Sequence, residues 1–167
     1  MRGAADHELS RRALIELYRF RDAIQRARAP AIYPDERKLF EGESQDGPLA
    51  SEAFYGVVRA YRRRIQAIDD ARNPFKASIT EAEAIWGTEL FELMEDVFKL
   101  EREFINYVQL YIGVTNPTES AKRLEDLKGT LARRRDVLME TEEDVYWKDM
   151  LGALKKVENY LKTKLVA

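Results

Sequence analysis

A chain of 167 residues, 45% hydrophobic and 35% charged, is long enough to bury one core without covalent staples. It contains no cysteine, which excludes disulfides, thiolate metal sites and cysteine nucleophiles. Its 28 basic and 30 acidic side chains leave a net charge of −2, so nothing draws the whole chain towards nucleic acid.

No apolar run approaches the roughly 18 residues of a membrane span, and the N-terminus lacks the apolar core of a signal peptide. These features predict a cytoplasmic chain folded as a single helical domain over residues 1–167. Apolar residues recur at helical spacing almost throughout, and no stretch alternates with the period of a strand.

The first predicted helix runs from about His7 to Arg28, with Asp6 as its N-cap and Leu9, Ala13, Leu17, Phe20, Ile24 and Ala27 as its stripe. Pro30 and Pro34 end it. A long connection at about 29–50 follows, and a connection of that length in a compact domain is either functional or ordered by packing. Ile32, Tyr33, Leu39 and Phe40 place its first half against the core, with a short turn of helix after Pro34. The glycine-rich, acidic stretch Glu41–Pro48 reads as the mobile part.

The second helix covers about Ser51 to Arg72, on Phe54, Val58, Tyr61, Ile65 and Ile68, and Asn73-Pro74 marks its end. The longest helical pattern comes next, at about 79–112, with Ser78-Ile79-Thr80-Glu81 as a capping box. Its seam is Trp86, Leu90, Leu93, Val97, Leu100, Phe104, Tyr107 and Tyr111. Parallel rows of apolar residues widen this stripe, as a helix touching several neighbours requires. A fourth helix opens at Asn116-Pro117 and continues through Leu138. A fifth covers about Glu142 to Leu165, behind the cap Thr141–Asp144. The expected fold is therefore an all-α, antiparallel bundle of four to five helices around the long central helix.

One internal echo stands out. Ala23-Ile24-Gln25-Arg26-Ala27-Arg28-Ala29-Pro30 and Ala67-Ile68-Asp69-Asp70-Ala71-Arg72-Asn73-Pro74 share the pattern A-I-x-x-A-R-x-P. Without a third copy no solenoid is implied, and both copies read as helix C-terminal signals. Gly56, Gly87, Gly129 and Gly152 each fall inside a predicted helix, where close approach of a neighbouring helix is the expected reason for a glycine.

The chemistry is sparse. A di-iron bundle needs Glu-x-x-His pairs, and the one histidine, His7, lies outside any such pair. There is no P-loop, no dinucleotide fingerprint and no H-E-x-x-H, so no catalytic residue, cofactor or metal ligand is assigned. Two features remain. Arg59, Arg62 and Arg63 lie in a basic stretch, 57–76, with six basic and two acidic side chains, and offer a surface for an anionic partner. Glu101 interrupts an otherwise apolar row of the central helix and predicts a buried ion pair with an arginine of the first or second helix.

The expected function is a non-catalytic protein–protein interaction or regulatory module, with a protein partner or self-association. One alternative is a cytoplasmic domain at the inner face of a membrane, contacting anionic lipid through the Arg-rich first two helices, with any anchor encoded upstream of Met1. The other is a small-ligand-binding bundle or an enzyme using carboxylates only. Nucleic acid is disfavoured, because the aromatics follow the buried stripes rather than the basic residues.

Overall fold

The computed structural model describes residues 2–44 and 51–166, which form six helices and no strand. They are α1 (Arg2–Ala27), α2 (Pro34–Arg37), α3 (Glu52–Trp86), α4 (Glu89–Thr115), α5 (Ala121–Ala132) and α6 (Val145–Val166). Four of them close a ring: α1 packs on α3 and α6, and α4 packs on the same two. The short α2 lies on α3, and α5 lies on α4. Among the described residues, no helix is long and apolar enough to cross a membrane.

The all-α bundle is as the periodicity predicts, but its longest helix lies elsewhere. α3 passes straight through Asn73-Pro74, which therefore does not end a helix. Proline removes the hydrogen bond from position 74 to the carbonyl of Asp70. The tertiary face makes up for that loss: Ile68, Phe75, Ile79 and Ala82 continue one buried stripe across the proline. Ser78, read from sequence as a cap, is buried inside the helix and accepts a hydrogen bond from Arg12 Nε at 3.3 Å.

The break that sequence places at Pro74 comes instead at Gly87, whose φ of 89° and ψ of −166° suit glycine alone. The predicted helix at 79–112 is thus the end of α3 and most of α4, joined by a tight corner. The buried line of α4 is Leu90, Met94, Val97, Glu101, Phe104 and Val108. Trp86, Leu93, Leu100, Tyr107 and Tyr111, five of the eight residues of the predicted seam, are only partly buried.

Of the other glycines, Gly56 meets the expected close approach, a Cβ there standing 3.3 Å from Arg37 Nη1 of α2, and Gly113 meets a tighter one. A Cβ there would stand 2.9 Å from Leu127 Cδ1, so the glycine lets α5 seat on α4. Gly129 and Gly152 have open space around the missing Cβ, and nothing in the packing explains them.

α1 begins earlier than predicted, so Asp6 lies within it rather than capping it. α5 ends at Ala132, short of the predicted Leu138, and Val137 and Leu138 are buried in the following loop. The Thr141–Asp144 segment does cap the last helix, but with Asp144 as the N-cap, so α6 starts at Val145 rather than Glu142. Asp144 Oδ1 accepts from Trp147 N at 3.3 Å, and Thr141 Oγ1 accepts from Asp144 N at 3.0 Å. The helix turn after Pro34 is present as α2. Residues 45–48 of the stretch read as mobile lie outside the described residues.

Candidate functional site

The arginines decide the character of the first 75 residues, and three of them, Arg28, Arg59 and Arg64, are buried. Arg28 is 1% exposed. Its Nε donates to the Val137 carbonyl and one Nη to the Met139 carbonyl, both at 2.8 Å. The guanidinium also forks onto Asp144, at 2.8 and 3.1 Å, and lies over the Tyr146 ring. That fork holds the Asp144 carboxyl below its ordinary value.

Arg64 performs the equivalent task at the end of α1. It donates to the carbonyls of Ala27, Ala29 and Ala31 and forks onto Glu36, whose carboxyl it holds low. Three carbonyls that have left the helix would otherwise lack donors. The described part of the connection, 29–44, is therefore ordered by packing, with arginine donors standing in for a sheet or helix ladder.

The predicted basic surface for an anionic partner does not form as a unit. Arg59 is 4% exposed and donates to the Arg37 carbonyl at 2.8 Å and to Glu52 at 2.5 Å. Arg63 donates to the carbonyls of Glu36 and Leu39 and lies over the Phe40 ring at 4.1 Å. Of the three, Arg62 alone is exposed, and it too lies over Phe40, at 4.6 Å. The physical reason is the connection at 29–44, whose carbonyls and acids need donors that the basic face of α3 provides.

Glu101 is 3% exposed, in the middle of the buried line of α4, and pairs with Arg72 of α3. Arg72 also reaches Asp69 at 2.6 Å. Burial pushes the Glu101 carboxyl above its ordinary value near 4.5, outweighing the attraction of Arg72. A raised folded-state value gives a stability contribution that is full below pH 4.5 and is lost as pH rises through that folded value. Glu101→Gln should therefore change stability by about 0–2 kcal/mol at pH 7. Wild type should also lose ground to the variant between about pH 4 and pH 7 in urea titrations. A difference that grows in favour of wild type over that range would contradict this assignment.

With these groups engaged internally, a groove of about 700 Å³ lies open between α1 and α3. The two helices run antiparallel here and bring the two copies of the echo side by side. Ala23 and Ala27 of the first copy, with Ala67 and Ala71 of the second, make its floor. Ile24 and Ile68, the second residue of each copy, are buried beneath it. The second copy is thus mid-helix and not the terminal signal that the sequence suggests.

The rim is charged, but unequally engaged. Asp22 pairs with Arg21 at 3.0 Å, Glu36 with Arg64 at 2.6 Å, and Asp70 accepts from Gln66 at 2.8 Å. Arg19 and Arg26 have no carboxylate partner among the described residues, so the free charge of the rim is positive.

Sequence reasoning missed this groove and the Arg28 and Arg64 clamps. The echo was the available signal, because paired small residues at helical spacing mark a face where little side chain intervenes. Among the described residues no group of three His, Asp or Glu side chains could hold a metal ion. No family model, curated protein or solved structure shows significant similarity to the chain.

Proposed function

We propose that the domain is a non-catalytic binding module whose α1/α3 groove receives an acidic, amphipathic helix of a protein partner. The groove itself supports this reading most directly: an alanine floor bordered by two arginines without carboxylate partners. Alanines let a third helix approach the backbones of α1 and α3 closely, as small residues do at tight helix crossings. The lining runs along α1 from Arg19 to Ala29, about 15 Å at the helical rise, enough for three turns of a docked helix. Arg19 and Arg26 would attract acidic residues flanking the apolar face of that helix and raise its rate of encounter.

The test is a selection of displayed 16-residue helical peptides on the purified domain, followed by fluorescence anisotropy. Selected peptides should carry Asp or Glu beside a stripe of small apolar residues. Their affinity should fall at least about tenfold in Arg19→Glu/Arg26→Glu and in Ala67→Trp, which fills the floor. Circular dichroism should show both variants folded. Binders unaffected by either variant would refute the groove. A concentration-dependent dimer abolished by Ala67→Trp would assign it to a second copy of the chain and refute the acidic partner.

A further inference from the structure

A second concavity, of about 470 Å³, lies at the opposite end of the bundle, between the start of α4 and the end of α6. Glu89 and Leu93 line it from α4, and Lys156, Asn159, Tyr160 and Lys164 from α6. Tyr160 is 9% exposed, yet its hydroxyl meets no hydrogen-bonding group of the described residues. Its ring packs edge-to-face on Trp86 at 6.3 Å, and the indole Nε1 of Trp86 is likewise buried without an acceptor. Two neighbouring donors left unmatched cost about 1–3 kcal/mol each. Lys164 Nζ stands over both rings, 5.6 Å from the Trp86 centroid and 5.2 Å from that of Tyr160.

The charges narrow the class of ligand. On α6, Lys155 and Lys162 both pair with Glu158, whereas Lys156 and Lys164 have no carboxylate partner among the described residues. Two free lysines against Glu89 leave the pocket with one net positive charge, the complement of a monoanion. Leu93 and the Tyr160 ring offer an apolar wall for a hydrocarbon body. A phosphate dianion would meet repulsion from Glu89 and no apolar need.

We infer that this pocket binds a small organic carboxylate, its acid group taken by Tyr160 and the two lysines and its hydrocarbon laid against Leu93. The site is separate from the α1/α3 groove and does not depend on what that groove binds.

Trp86 supplies the readout once Trp147→Phe makes it the sole tryptophan. Hexanoate and 3-phenylpropionate, titrated at constant ionic strength, should shift its emission saturably, while chloride and inorganic phosphate should not. Tyr160→Phe keeps the ring and removes the donor, so it should leave the fold intact and weaken binding about tenfold, as should Lys164→Gln. No saturable shift with either carboxylate would overturn the inference. So would an affinity unchanged in Tyr160→Phe, or tight phosphate binding with none of carboxylate.

Discussion

Arg28→Ala is expected to destabilise the protein by about 3–5 kcal/mol, the usual result of removing one partner of a buried ion pair. The loss exceeds that of an ordinary surface arginine because three kinds of group are stranded together. Asp144 loses its counter-ion at the start of α6, and the carbonyls of Val137 and Met139 lose their donor beneath the loop. Tyr146 and Trp147 lose the cation lying over their rings. Arg28→Lys should rescue little, since a single ammonium cannot reproduce the fork onto Asp144 together with both carbonyl bonds. Equilibrium urea unfolding measures both variants. A cost below about 1 kcal/mol for Arg28→Ala would mean that the loop at 133–144 is held by other contacts. Asp144 also gives the pH sense: its depressed carboxyl contributes stability at neutral pH that is lost as pH falls through its folded value. Arg28→Ala should therefore flatten the acid limb of the stability curve.

Phe75→Ala should cost about 3–5 kcal/mol, the range for truncating a fully buried aromatic side chain. This substitution tests the continuity of α3 directly. Phe75 follows Pro74, and if the helix ended at Asn73 it would sit in a connection and cost far less. Pro74→Ala, by contrast, should stabilise, because it restores the hydrogen bond to the Asp70 carbonyl. Destabilisation by Pro74→Ala, together with a small effect of Phe75→Ala, would place a helix end at 73.

The same residues show what the sequence carries and what it conceals. Periodicity alone identifies the all-helical architecture, since every buried stripe from Leu9 to Leu161 falls within a segment of helical spacing. It misplaces the corner because local and tertiary signals conflict. Asn73-Pro74 is a strong local stop, while the phase running from Ile68 through Phe75 to Ile79 says that the helix continues. Gly87 is a weak local stop that becomes decisive only because the chain must turn there with φ at 89°. The rotation of α4 was hidden for another reason. Its apolar residues cover so wide an arc that several seams were consistent, and the residue that marks the true centre is a glutamate. Glu101 was legible as an anomaly needing an arginine, but not as the axis of the buried face. The predicted basic surface failed for a physical reason too: a sequence shows how many arginines a helix has, not how many loose carbonyls the neighbouring connection brings to them.

The bonds made by α1 also bear on how the chain is synthesised. Ser10 donates to the carbonyl of Leu161, 151 residues away, and Arg28 waits for Asp144, 116 residues later. At ordinary elongation rates that second interval lasts on the order of ten seconds, during which α1 can dock on α3 but leaves its α6-facing side uncovered. Once α4 has been made, the nascent chain is a three-sided assembly with an apolar trough, and closure comes with α6 in one late step. A chaperone that occupied the trough would have to leave before α6 could close it. A premature stop within α6 would leave the trough permanently open, an aggregation hazard and a mark for proteolysis.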